Sequence, residues 1–162
     1  MHNMKKLLAF SSVAASVLGI ALVVGGVGGI YFTYQNIARE NIVTPSDADF
    51  PEQPVRGPLT LKAQADIIRV HTLEMTGGKT YAEMPRQVPK LDENGAQVLD
   101  AEGKPVMTAN TARDIWALAT TLTTALNVGM LAYAFSGLLA LFGLTLLWAG
   151  VVLNALGKRE LV

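Results

Sequence analysis

Histidine is the scarcest residue able to carry proton or metal chemistry in this chain, present only as His2 and His71. A long apolar run separates them, so a membrane crossing between them would put them on opposite sides and no single site could use both rings. A two-histidine, one-carboxylate iron site is thereby excluded. There is no cysteine, hence no disulfide framework, haem-attachment motif or thiolate metal site. Gly77-Gly78-Lys79-Thr80 has the ending of a phosphate-binding loop, but the earlier glycine at the required distance is missing and no buried strand precedes it. It reads as a helix stop. No serine sits in a Gly-x-Ser-x-Gly elbow, and the acidic runs around Asp92 and Asp100 lack the ligand spacing of a calcium loop, so they read as solvated turns. No catalytic, cofactor-binding or metal-binding residue is expected, and the chain is expected not to be an enzyme. His71, four residues after Ile67, reads as a surface or interface histidine.

The elements that position these residues are set by two stretches without a charged side chain, 7–38 and 115–157, with Lys5-Lys6 and Lys158-Arg159 at their outer ends. A hydrocarbon core needs about 20 apolar residues in a helix, and both stretches exceed that. The expected fold class is a mainly α membrane protein: a two-helix transmembrane hairpin whose extracytoplasmic loop contains one helix and a small β-ribbon. The basic ends predict cytoplasmic termini in the plasma membrane and a loop displayed outside. The first apolar run far exceeds the roughly 7–15 residues of a signal peptide, and Val13-Ala14-Ala15 comes too early for cleavage, so an uncleaved anchor is expected. Neither span contains an acidic, basic or histidine side chain, which argues against transport by this chain alone.

The expected order is a cytoplasmic segment 1–6, a first span 7–35, a loop 36–110, a long helix 111–156 and a cytoplasmic tail 157–162. Small residues recur seven apart in the first span at Ser12, Gly19 and Gly26, with further small pairs at Ala15-Gly19, Ala21-Gly25 and Gly25-Gly29. In the second they do so at Gly129, Ser136, Gly143 and Gly150, with Ala132 and Ala140 widening the seam. A period of seven keeps one face on one neighbour and predicts a left-handed crossing near about 20°, the first helix being the expected neighbour. Leu138, Leu139, Phe142, Leu146, Trp148 and Val152 are expected to meet lipid or another protein. The second stretch is about twice what one crossing needs, so the span is placed at about 128–154 and the preceding turns are expected to project outside. Thr111 with Asp114 gives the start signal. Trp116, Thr120 and Thr124 on that projection, with His71 and Tyr81, are the candidate partner contacts.

The middle holds nearly all the acidic residues, so a nucleic-acid partner is excluded for want of a basic face. Residues 41–58, with Pro45, Pro51, Pro54 and Pro58, are expected to be extended and able to lie along another protein. A helix is expected at about 60–76, a capped turn from Thr80 to Glu83 at about 80–84, and a ribbon at about 88–107 turning at Asn94-Gly95 and Glu102-Gly103.

The run Ala38-Arg39-Glu40-Asn41-Ile42-Val43-Thr44, then Gly57-Pro58, Ala63-Gln64-Ala65, Ile68, His71-Thr72-Leu73, Thr76-Gly77-Gly78-Lys79-Thr80-Tyr81-Ala82-Glu83 and Thr111-Ala112-Arg113, resembles a family of actinobacterial two-span membrane proteins. Its members are often labelled, misleadingly, aromatic ring-opening dioxygenase LigA. The stretch from His71 to Glu83 is the most specific part, and residues 85–107 look like an insertion relative to the family's short acidic link. The family is similar to an accessory subunit, a supercomplex association factor, of the actinobacterial respiratory supercomplex that joins cytochrome bcc to cytochrome aa3 oxidase. The resemblance implies a non-catalytic subunit of that assembly, with membrane lipid and the larger respiratory-chain subunits as partners and no cofactor of its own. The dioxygenase label fails because the iron ligands it requires are missing. The rival expectation is a freestanding envelope sensor with a small pocket lined by Ile67, Val70, Leu73 and Tyr81.

Overall fold

The computed structural model describes residues 2–159, with the side chains of His2 and Arg159 left undescribed. Parts of the expected cytoplasmic ends, Met1 and residues 160–162, lie outside the described residues. The elements are α1 (His2–Arg39), α2 (Pro58–Met75), β1 (Gln87–Pro89), β2 (Met107–Ala109) and α3 (Thr111–Arg159). The fold is mostly helical with a small two-stranded sheet, and α1 and α3 are both long and apolar enough to cross a membrane. The described residues form two compact units, one made of residues 2–43, 54–59 and 128–159, the other of Thr44–Gln53 and Thr60–Asn127.

In the first unit α1 and the second half of α3 run antiparallel along their small residues. The Ser12 hydroxyl donates to the Gly150 carbonyl at 2.8 Å, and the buried positions Ser12, Gly19, Gly26 and Thr33 recur every seventh residue. A Cβ on Gly19 would lie 2.8 Å from the Gly143 carbonyl oxygen, and one on Gly26 would lie 2.6 Å from both Ala140 N and the Ser136 carbonyl oxygen. Each step of seven along α1 is therefore matched by a step of seven back along α3. Backbone meets backbone, which only residues with little or no side chain permit. Not every small pair is used: a Cβ on Gly25 or Gly28 would meet nothing within 4 Å, so these two belong to the outward face. Leu139, Leu146 and Val152, expected to face outward, are half-buried beside the seam, whereas Phe142 and Trp148 are exposed.

The end of this unit at the C-terminus of α1 is strapped by Pro54–Leu59. Val55, 1% exposed, donates its N–H to the Ile42 carbonyl at 2.9 Å. The Tyr133 hydroxyl donates to the Arg56 carbonyl at 2.5 Å, and the Arg56 guanidinium donates to the Tyr34 hydroxyl at 3.2 Å. Asn41, at a φ of 50°, turns the chain out of α1, a conformation asparagine tolerates better than most residues.

In the second unit, Thr44–Gln53 corrects the expectation of an extended segment. It is a closed loop around the buried Thr44, whose hydroxyl donates to the Phe50 carbonyl and accepts from Gln53 N–H at 2.9 Å. Backbone bonds from Thr44 N–H to Gln53 O and from Glu52 N–H to Thr44 O complete the closure. Prolines at its ends shape the turns, but one side-chain hydroxyl satisfies enough backbone to fold the segment on itself.

Helix α2 opens on Pro58, suited to a first helical position, and buries Leu61, Ala63, Ala65, Ile67 and Thr72. It stops where Gly77 and Gly78 take φ values of 64° and 75°. Gly78 N–H bonds Leu73 O at 2.7 Å and Gly77 N–H bonds Glu74 O at 3.2 Å, both bonds of a Schellman cap. Thr80 and Glu83 make only half of the expected capping box. Glu83 accepts from the Thr80 N–H and hydroxyl, both at 2.7 Å, which consumes the hydroxyl and leaves an isolated turn. Helix α3 is capped one residue earlier than expected: Asn110, not Thr111, accepts from Ala112 N–H at 3.1 Å.

The ribbon pairs β1 with β2 antiparallel, Val88 opposite Thr108, and two shorter loops hang between them. Each is closed by a bridge, Leu91 to Gln97 and Leu99 to Pro105. Their turns are three-residue loops with glycine left-handed, Gly95 at 80° and Gly103 at 78°, rather than the two-residue Asn-Gly turn, which would need a positive φ at Asn94. Asp92 Oδ1 accepts from Asn94 and Ala96, and Asp100 Oδ1 accepts from Glu102 and Lys104, an eight-residue repeat in both sequence and hydrogen bonding. These carboxylates serve their own turns.

Candidate functional site

The second unit gathers most of the side chains that could recognise another molecule. Between α2 and the first turns of α3 lies a cleft of about 180 Å³, lined among others by Asp66, Arg69, Trp116, Thr120, Thr123 and Asn127. The Arg69 guanidinium carbon stands 5.8 Å from the centre of the Trp116 ring, within cation–π range. Asp66 is ion-paired with Lys62, whose pKa is raised mainly by that hydrogen bond. The Thr72 and Thr123 hydroxyls are committed to the carbonyls of Ile68 and Thr120 at 2.6 and 3.1 Å. What the cleft presents is one cation on an aromatic face above uncommitted hydroxyl and amide groups.

The residues singled out from the sequence as partner contacts do not form one patch. Trp116 and Thr120 share the cleft, while Thr124 is exposed outside its lining. His71 sits in a separate pair, its Nε2 at 2.7 Å from Asp47 Oδ2, both side chains partly exposed. That bond links α2 to the Thr44–Gln53 loop. Tyr81 lies under Arg113, the guanidinium carbon 3.8 Å from the ring centre, and Arg113 also donates to the carbonyls of Met84 at 2.6 Å and Tyr81 at 3.1 Å. Sequence reasoning misses Arg69, Arg113 and Asp47, since an isolated charge on a polar segment carries no pattern until the fold supplies its partner.

Ile67 and Val70 line a hollow of about 250 Å³ with Asp47, Ala48, Asp49, Ala63 and Asp66. Leu73 and Tyr81 are not part of it. The seam residues Gly19, Gly26, Ser136, Gly143 and Gly150 meet in the other unit, and Gly129 is half-buried on the same face of α3. Among the described residues no cluster of three or more histidine or acidic side chains is placed to hold a metal.

The Asp47 carboxyl is held below its ordinary value of 3.8, first by the hydrogen bond from His71. A depressed folded pKa contributes stability that is present above the unfolded value and is lost as pH falls through the folded one. Closure of the loop on α2 should therefore persist above about pH 4 and weaken in more acid solution. An NMR titration of the Asp47 carboxyl carbon should give a midpoint below 3.8 that rises in the His71→Ala chain. An unchanged midpoint would mean that the pair does not hold this loop.

Comparison with protein-family models, with curated proteins and with solved structures finds no match to this chain.

Proposed function

We propose that this chain is a non-catalytic accessory subunit of the plasma membrane, anchored by α1 and α3 with both termini cytoplasmic, which docks its outer segment on larger respiratory-chain subunits. The observation that carries the reading is the pairing of two helices along their charge-free stretches through a small-residue seam, with Phe10, Phe32, Leu131, Phe142 and Trp148 left largely exposed on the outside. Such faces are costly in water and ordinary in lipid or against another membrane protein. The outer segment then provides the recognition groups, because the spans contain none with charge. The resemblance to the actinobacterial two-span family supports a cytochrome bcc–aa3 supercomplex as the assembly concerned, where the subunit would aid assembly or stability.

The test is purification from native membranes in mild detergent, followed by crosslinking mass spectrometry from the exposed Lys62, Lys79, Lys90 and Lys104. Copurification with cytochrome oxidase and crosslinks from these lysines to its subunits are expected. Recovery only as a free species, with the supercomplex intact in its absence, would sink the proposal.

A further inference from the structure

The ribbon is a three-way junction of backbone. Lys90 N–H donates to Val106 O at 2.7 Å, Val106 N–H to Val98 O at 2.8 Å and Val98 N–H to Lys90 O at 2.9 Å, so three residues spaced eight apart close a ring of hydrogen bonds. From that ring run the β1–β2 stem and two arms, each pinned at its tip by the carboxylate of Asp92 or Asp100.

One residue beyond the ring, the paired positions are Pro89 with Met107, Leu91 with Gln97 and Leu99 with Pro105. Directly opposed residues of an antiparallel pair share a face, and so do residues two apart on one strand. Both rules link these six positions into a closed set, which puts them on one face of the ribbon and Lys90, Val98 and Val106 on the other. Burial agrees: Leu91, Leu99 and Met107 are 57%, 55% and 47% exposed, while Val98 and Val106 are half-buried. The ribbon therefore leaves large apolar side chains on the face that folding does not use. Unlike leucines scattered singly over a surface, these three recur at equivalent positions round one centre.

The charges around this face say what covers it. The arms, residues 91–105, hold four carboxylates, Asp92, Glu93, Asp100 and Glu102, against one cation, Lys104. A second copy would set acidic arm against acidic arm, and an anionic bilayer surface would repel them as well. A protein surface with an apolar centre and lysine or arginine at its edge is complementary in both respects. The hydrogen-bonded ring and the two carboxylate-closed turns hold the face in shape beforehand, which lowers the ordering cost of docking.

We infer that Leu91, Leu99 and Met107 form the centre of a docking face for a partner protein that presents an apolar patch edged with basic side chains. The inference stands on the ribbon alone and does not depend on which assembly the chain joins.

The test is site-specific photocrosslinking of the full chain in its native membranes, with p-benzoylphenylalanine replacing Leu91 or, as a control on the opposite face, the exposed Thr108. Irradiation should give one adduct with a second protein from position 91 and none from position 108, and the partner's crosslinked peptide should contain apolar residues flanked by lysine or arginine. With the probe at position 91, Leu99→Ser and Met107→Ser together should lower the yield about tenfold or more, as expected when apolar anchors leave the centre of an interface. Trypsin cleavage after Lys90 and Lys104 at the rate of the unaltered chain checks that the ribbon stays folded. Glu93→Gln with Glu102→Gln tests the same face with its apolar residues untouched, and should lower the yield several-fold. Neither glutamate side chain makes a hydrogen bond among the described residues, so the turns keep their Asp92 and Asp100 bonds. Adducts with lipid or with another copy of this chain, equal adducts from positions 91 and 108, no adduct at all, or a yield unaffected by either double substitution would each overturn the inference. A partner outside the respiratory chain leaves the face standing and counts only against the assembly proposed above.

Discussion

Leucine in place of Gly143 is expected to separate α1 from α3, and leucine in place of Gly25 to leave them together. A Cβ at Gly143 would fall 2.6 Å from Val23 N and 2.7 Å from the Gly19 carbonyl oxygen, which are backbone atoms that cannot rotate aside. Overpacking of this kind costs about 1–3 kcal/mol, and more when backbone must move. Gly25 has open space around it and lies on the partner helix of the same pair, so its replacement tests outward-facing bulk without touching the seam. Leucine there even favours the helix, by up to about 1 kcal/mol. Since the chain has no cysteine, an introduced pair reports the packing cleanly. A Cβ on Gly157 would stand 3.7 Å from the Leu8 Cβ, inside the roughly 3.5–4.5 Å that a disulfide spans, so the Leu8→Cys, Gly157→Cys chain should crosslink on mild oxidation. Adding Gly143→Leu should lower the crosslinked yield several-fold, and adding Gly25→Leu should not. Equal yields from the two would mean that the seam does not hold the pair.

Why part of this architecture can be read from sequence and part cannot follows from the range of the interactions. A period of seven in small residues is a local pattern with a single geometric meaning, so Ser136, Gly143 and Gly150 can be named without coordinates. Which face of α1 answers them is harder, because glycines occur all round that helix and Gly25 differs from Gly26 only by about 100° of rotation. Glycine stops are similarly plain, as at Gly77-Gly78, since their conformation is set within a few residues. The Thr44–Gln53 loop escapes such reading because its closure depends on one hydroxyl reaching Phe50 and Gln53, and a proline-rich segment with a threonine has many other options. The cap at Asn110 is a choice between adjacent residues of equal competence, Asn110 and Thr111, decided by where the ribbon delivers the chain. Asn110 N–H is already bonded to the Arg86 carbonyl, and its amide nitrogen donates to Pro85 O, which fixes it at the end of β2. The cleft is the furthest from legible: Arg69 and Trp116 are far apart in the chain, and only the packing of α2 on α3 brings them together.

Arg113 presents the same kind of long-range dependence in a form that one substitution can expose. Its guanidinium stacks on Tyr81 while donating to the carbonyls of Met84 and Tyr81, so a single side chain on α3 holds the turn that follows α2. Met84 is buried, 5% exposed, so removing the guanidinium leaves its carbonyl to find another donor where water reaches poorly. Arg113→Ala should therefore loosen residues 79–86 by about 2–3 kcal/mol, the sum of a charged hydrogen bond and a cation–π contact at a partly exposed site. Hydrogen exchange at Glu83, whose N–H bonds the Thr80 carbonyl, should accelerate about thirtyfold or more, and trypsin should cut faster after Lys79 and Arg86. Lysine should not restore protection, because an ammonium reaches one carbonyl at a time and stacks poorly on the ring. Tyr81→Ala should cost less, about 0.5–1 kcal/mol, since the carbonyl bonds survive. Protection unchanged in Arg113→Ala would show that the Thr80–Glu83 bonds alone hold the turn. Protection lost in Arg113→Ala but kept in Tyr81→Ala would place the work in the hydrogen bonds, and would leave the Tyr81 ring, 44% exposed, free to meet a partner without unfolding the surface that presents it.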